Sequence, residues 1–138
     1  MTDLQALSDR VEIAALPGEF TDAASVRDYD RFAALFTDDG IWRIPGAGVD
    51  FHGRPEIRAG IERLQSAWEF FIQNVHPGGI SITGDTATAR VYVSKLGRFR
   101  TGEFHANYSV YHDRYRRTDA GWRFAERSYE VKYQSDRP

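Results

Sequence analysis

The chain has 138 residues, of which 41% are hydrophobic and 14% aromatic, enough for one domain with a core and an internal cavity. Its formal net charge is −2, so we expect no basic surface that could bind nucleic acid. The sequence has no cysteine, no leader-like amino terminus and no apolar run of the roughly 20 residues that a membrane span needs. These features predict a cytoplasmic protein with neither nucleic-acid nor membrane partners.

Apolar residues recur at helical spacing in the first part of the chain. They predict a helix up to Leu16, a kink or break at Pro17 and Gly18, and a second helical piece over residues 19–25. Asp28 then predicts the N-cap of a helix whose apolar face includes Phe32. With the two pieces around Pro17 counted as one kinked segment, two helical segments are expected in this region.

A short strand and a third helix are predicted next. Residues 37–40 and 45–48 are rich in turn-forming types and flank a short apolar segment that predicts a strand. Helical spacing then extends from Arg54 to about Phe71 and includes Trp68. Three helical segments therefore precede the main sheet.

From Ile72 onward the sequence predicts long antiparallel strands joined by tight turns. Long strands in a small sheet coil strongly, so the sheet is expected to curve around the helices as an α+β cone. One predicted strand has His105, Asn107, Ser109 and Tyr111 on one face and an apolar set on the other. Either face is compatible with packing against the helices.

Two histidines, His76 and His105, interrupt apolar strands in the segments IQNVHPGG and GEFHANYSVYHD. Imidazole both accepts and donates protons near neutrality, so the two rings predict an acid/base pair in an apolar pocket. The alternative interpretation is that each is a hydrogen-bonded core residue. His52 and His112 are expected at the surface and receive no role.

The order of elements and several motifs resemble the SnoaL-like branch of the nuclear transport factor 2-like superfamily. The matching segments are RDYDRFAALFTDDGIWRI, FHGRPEIRAGI and HANYSVYHDRYRRTDAGWRFAERSY, which with the strand of His76 span nearly the whole chain. The resemblance implies the cone fold of scytalone dehydratase, hexachlorocyclohexane dehydrochlorinase and ketosteroid isomerase. It does not specify a reaction, because this fold carries dehydratases, isomerases, cyclases, oxygenase subunits and binding proteins.

The resemblance implies that His76 is the general base, held in the dehydratase-like members by an aspartate on the preceding helix. Ser25 occupies that aspartate position here, which weakens a dyad of this kind. Asp22 lies about one helical turn earlier and is the predicted substitute, although a solvated helix residue is the alternative. Asp22 is therefore a catalytic candidate and Ser25 a substrate-binding candidate.

The resemblance also implies a second pocket histidine on a later strand, at His105. With two imidazoles, one ring would take a proton from carbon and the other would donate a proton to an oxygen of the ligand. Asn107 is a candidate donor to a ligand carbonyl, and Tyr111 is either a donor or part of the wall. The predicted aromatic wall consists of Phe20, Trp42, Trp68 and Phe71.

The sequence thus predicts a cofactor-independent dehydratase, isomerase or cyclase for a small hydrophobic cyclic metabolite such as a polyketide or terpenoid. A metal held by the two histidines and a carboxylate such as Glu103 lacks supporting spacing, so we expect no metal. Two alternatives remain: a non-catalytic binding protein and a small structural subunit of an oxygenase. We expect a homodimer formed through the outer sheet face, with Val91, Tyr92 or Tyr108 in the contact.

Overall fold

The computed structural model describes residues 3–137. The helices are α1 (Leu4–Ser25), α2 (Tyr29–Ala34) and α3 (Arg54–Ser66). The strands are β1 (Phe36–Ile44), β2 (Val49–His52), β3 (Trp68–Thr83), β4 (Thr86–Phe99), β5 (Phe104–Thr118) and β6 (Gly121–Ser135). They form one sheet in the order β2-β1-β6-β5-β4-β3, in which only β1 and β6 pair in parallel. Within the described residues, no helix has the length and apolar character required to cross a bilayer.

The core lies between the helices and the inner face of the sheet. Phe20 of α1 is central to it, with its ring centroid 4.4 Å from that of Phe32 and 5.9 Å from those of Trp42 and Phe124. Strands β3 to β6 have 14 to 16 residues each, and strands of this length coil around what they cover. The predicted α+β cone is confirmed.

A kink or break was predicted at Pro17 and Gly18; helix α1 is continuous through both residues, so the break is wrong. Proline removes one backbone N–H from the helix, but the turns on both sides of it remain packed in the core. Ile13 and Phe20, one turn before and one turn after the proline, are both buried. This packing holds the turns on both sides of the proline against the core.

The third helix is shorter than predicted. It ends at Ser66 rather than near Phe71, and β3 begins at Trp68. Arg100, in the β4–β5 turn, donates from Nε to the Ser66 carbonyl at 2.9 Å and from its backbone N–H to the Ala67 carbonyl at 3.0 Å. These two bonds satisfy helix-end carbonyls, so the chain can turn into the sheet there.

Residues 37–40, predicted as a turn, belong to β1 instead. The pairing of β1 with β6 is interrupted between Phe36 and Ile41, so these polar residues occupy an irregular stretch inside the strand. The N-cap at Asp28 is confirmed, since its Oδ1 accepts from the Arg31 backbone N–H at 3.1 Å.

Candidate active site

A cavity of about 590 Å³ lies between the helices and the inner face of the sheet. Most of its wall is apolar, and the polar side chains on the wall come mainly from β3, β4 and β5. These polar residues are Gln65, Gln73, Lys95, His105, Asn107 and Gln134. A cavity of this size, with few polar groups, suits a small and largely apolar molecule.

The four aromatic residues predicted for the wall, Phe20, Trp42, Trp68 and Phe71, all line this cavity. The Trp68 ring stacks on Phe99 with centroids 3.9 Å apart. Gly97 leaves space for that ring, because an added Cβ would lie 2.5 Å from it. The flat wall thus depends on a glycine in the neighbouring strand.

Strand β5 directs its polar face into the cavity. The sequence alone was compatible with either face of this strand packing against the helices. His105, Asn107 and Tyr111 line the cavity, whereas Tyr108 is exposed on the opposite face. Tyr111 is buried, and its hydroxyl accepts from Trp42 Nε1 at 3.0 Å. Burial also raises the pKa of the Tyr111 hydroxyl, so this group is a neutral part of the wall.

A hydrogen-bond network fixes the orientation of Asn107. Its Oδ1 accepts from the Tyr129 hydroxyl at 2.6 Å and from the Ser109 hydroxyl at 3.0 Å. Its Nδ2 therefore faces His105 and donates to Nε2 at 2.8 Å. Because Nε2 accepts this bond, the neutral imidazole carries its proton on Nδ1.

The imidazole of His105 is neutral near pH 7. Burial lowers its pKa from the ordinary value of 6.5, and the positive charge of Lys95 lowers it further. Its ring lies edge-on to Trp68, with centroids 5.8 Å apart. Near neutral pH, His105 therefore offers one N–H donor and carries no positive charge.

Lys95 is the functional candidate that our sequence reasoning missed. It lines the cavity from β4, between Gln73 of β3 and Asn107 of β5 in the sheet register. Its Nζ lies 5.1 Å from the ring centroid of Tyr129 and 5.5 Å from that of Phe71. Burial lowers its pKa to about 8, and no carboxylate among residues 3–137 counteracts that shift.

The signal for Lys95 was present in the sequence. Alternate residues of β4 from Ala87 to Val93 are small or aliphatic and buried, and Lys95 is next on that face. The chain has only two lysines among its 18 basic residues, the other being Lys132. A rare lysine at an inward-facing position of an apolar strand indicates a cavity amine.

His76 does not lie in this cavity, so the predicted convergence of the two imidazoles needs correction. The inner face of β3 carries Phe71, Gln73 and Val75, and the period of two places His76 on the outer face, where it is exposed. The inward Gln73 donates from Nε2 to Thr21 Oγ1 of α1 at 3.0 Å. A glutamine and a threonine thus link strand and helix beside the cavity, and the implied histidine and aspartate do not.

Asp22 and Ser25 are also placed outside the cavity, which corrects their predicted roles. The Asp22 carboxylate is 62% exposed and accepts from Arg31 at 2.7 Å. Ser25 is exposed at the last residue of α1. The helix instead directs Phe20 and Ala24 into the cavity, and Asp22 projects from a different side.

The remaining two histidines are at the surface, as expected. His52 pairs with Asp50 at 2.9 Å and His112 pairs with Glu130 at 2.8 Å, and all four side chains are about half exposed. In the part of the chain that the structure describes, no three histidine or carboxylate side chains cluster in a way that could hold a metal ion.

Comparisons with known proteins identify the family. The chain is similar to a type 2 hexachlorocyclohexane dehydrochlorinase (20% identity, 99% of this chain and 94% of that one, TM-score 0.91). It is also similar to a type 3 enzyme of that name from Novosphingobium barchaimii (21%, 97% and 93%, TM-score 0.88) and to an NTF2-like protein with a cystatin-like fold from Novosphingobium aromaticivorans (29%, 94% and 85%, TM-score 0.80). No curated protein matches. A family model described as a SnoaL-like domain matches residues 5–128, and the chain belongs to the SnoaL-like family.

Proposed function

We propose that the chain is a cofactor-independent enzyme that catalyses proton transfer on a small hydrophobic cyclic molecule bound in the cavity. Dehydration, double-bond isomerisation and cyclisation all require a proton to leave carbon while charge develops on a nearby atom. One observation carries the proposal. The amine of Lys95, which has no carboxylate partner in the described chain, and the neutral imidazole of His105 share a largely apolar cavity.

The two side chains have complementary roles. A pKa of about 8 lets Lys95 exist as amine and as ammonium near neutral pH, so it can take a proton from carbon and return it. His105 donates its Nδ1–H to the oxygen on which negative charge develops. Asn107, held by Tyr129 and Ser109, is a positioning residue that fixes the imidazole.

The comparisons are compatible with this chemistry. The dehydrochlorinases named above remove hydrogen chloride from their substrate, as their name states, and such an elimination includes loss of a proton from carbon. The resemblance described from the sequence implies a histidine and an aspartate for that step. In this chain we assign it to Lys95, because His76 lies on the outer face and Asp22 on the surface.

Exchange of carbon-bound protons with solvent tests the proposal without knowledge of the natural substrate. Cyclohexanone and the tetralones are incubated with the protein in deuterium oxide, and α-carbon deuteration is followed by mass spectrometry. We expect at least one ketone to exchange faster than in buffer. Lys95→Met and His105→Gln should each reduce that excess rate about a hundredfold or more, the usual contribution of an acid or base group.

His76→Ala is the matched control, since it removes an imidazole from the outer face of the same sheet. It should exchange protons at the wild-type rate. The proposal fails if no ketone exchanges above buffer, or if Lys95→Met retains the full excess rate.

A non-catalytic binding protein is the second candidate. It is favoured by the inner face of β3, which presents Gln73 to the cavity while the implied catalytic histidine, His76, lies on the outer face. This alternative predicts that a molecule captured from cells stays bound and is recovered chemically unchanged. A structural oxygenase subunit would instead co-purify with a larger chain, which native mass measurement detects.

A further inference from the structure

We propose that the Lys95 amine forms an imine with an aldehyde or ketone in the cavity, which makes carbonyl compounds the substrate class of this site. The inference rests on the proposed function, because it names the substrate class and the bonding mode of the same cavity. It adds a covalent step that proton transfer alone does not require.

The choice of amine follows from the composition of the chain. Only Lys95 and Lys132 carry a side-chain amine, and the other basic residues are arginines, whose guanidinium stays protonated. Lys132 is 58% exposed and pairs with Glu130 at 3.2 Å. Lys95 is therefore the lysine that meets a bound molecule inside the cavity.

The surroundings of Lys95 favour reaction at its nitrogen. Aromatic rings of Tyr129 and Phe71 lie within 5.5 Å of Nζ and contact the ammonium through their faces, and no carboxylate of residues 3–137 holds it protonated. A desolvated lysine in an apolar pocket is a recognised way to activate an amine toward a carbonyl. The polar neighbours on the adjoining strands, Gln73 and Asn107, are uncharged.

The step balances with the groups present and water. The Nζ lone pair adds to the carbonyl carbon, and the proton lost from nitrogen moves to the oxygen to give a carbinolamine. The carbinolamine hydroxyl then takes one proton from solvent and leaves as water, while the nitrogen lone pair forms the C=N bond of a protonated imine. The His105 N–H donates a hydrogen bond to the departing oxygen. The protonated imine withdraws electrons from the α-carbon, so the α-proton becomes easier to remove.

Reductive trapping tests the inference with three probes of one shape: cinnamaldehyde, cinnamyl alcohol and cinnamate. Each is incubated with the whole chain and sodium cyanoborohydride, followed by intact mass measurement and peptide mapping. We expect cinnamaldehyde alone to give a reduced side-chain adduct, which peptide mapping locates on Lys95 and separates from any adduct on the α-amine of the chain. Near pH 7 the rate at Lys95 should exceed that at Lys132 by about tenfold or more, because a lowered pKa leaves more of the amine unprotonated than in an ordinary lysine.

Two conservative variants provide the controls. Lys95→Arg keeps a positive charge but should lose the adduct, whereas Lys132→Arg should keep it. The inference is overturned by the absence of an adduct on Lys95, or by equal modification of both lysines. Tight binding of cinnamate with no trapped cinnamaldehyde also overturns it, and would make Lys95 a counter-ion for a ligand carboxylate. Deuterium exchange into a ketone that persists without any adduct overturns the imine and leaves the proposed proton transfer standing.

Discussion

The proposed chemistry depends on Lys95, and burial of its amine at this position has an energetic cost. Its ammonium has lost water, and two aromatic faces replace that hydration only in part. A residue that served stability alone would be apolar at this position, as Val91 and Val93 are on the same strand face. We therefore expect activity and stability to make opposite demands on this side chain.

Lys95→Met should raise the free energy of unfolding near pH 7 by about 1 to 3 kcal/mol, because it removes a desolvated ammonium from the folded chain. The size follows from the lowered pKa, since a shift of one pKa unit corresponds to about 1.4 kcal/mol. The folded chain holds the Lys95 proton with a pKa of about 8, below the ordinary 10.5, so protonation destabilises the fold. This penalty is complete below the folded pKa and disappears as the pH rises through the ordinary value.

The gain from Lys95→Met should therefore shrink as the pH is raised from about 8 toward 10.5, as measured by urea unfolding at several pH values. Lys132→Met is the matched control. It removes an exposed ion pair and should change stability by less than about 1 kcal/mol at each pH. An unchanged or lower stability of Lys95→Met near pH 7 would contradict a desolvated ammonium.

Strand β3 shows why the fold was predictable and part of the site was not. The order of elements and the turn residues predicted a cone, and a pattern spread over the whole chain tolerates local errors. Orientation within one strand depends on a single choice of face. Both alternating sets on β3, one with Gln73 and one with His76, mix apolar and polar residues, so the sequence did not indicate which faces inward.

Helix α1 also carries site residues whose placement the sequence pattern could not predict. The Thr21–Gln73 bond between α1 and β3 is a tertiary contact that no local pattern contains. The aspartate role was transferred to Asp22 because it lies one turn before Ser25 on nearly the same helical face, but both side chains are exposed, so that face points to the surface. By contrast, Lys95 followed a clear alternation in β4 and could have been predicted from the residues alone.

The outer face of the sheet carries exposed aromatic residues and is the predicted contact between two chains. Tyr92, Tyr108 and Tyr133 are 49%, 60% and 62% exposed there, whereas Val91, which was also expected on this face, is buried on the inner one. The homodimer stays a prediction. We expect light scattering after gel filtration to give about twice the 15.8 kDa chain mass, because these rings would otherwise face water.

A Tyr108→Glu, Tyr133→Glu double variant should shift the dimer toward single chains, because each carboxylate would have to be desolvated in the contact. Glu103→Gln, elsewhere on the exposed surface, should leave the mass unchanged. A wild-type mass of one chain at every concentration would refute the predicted homodimer.

The most direct test of the account is a titration of the Lys95 side chain by NMR, using the ¹³Cε resonance. With only two lysines in the chain, the Lys132→Arg variant leaves one lysine resonance to follow. The account predicts an inflection at about pH 8 that moves on addition of a carbonyl ligand. An inflection near 10.5 would mean that the ammonium is fully hydrated, and it would contradict a cavity amine that is ready to accept a proton or attack a carbonyl.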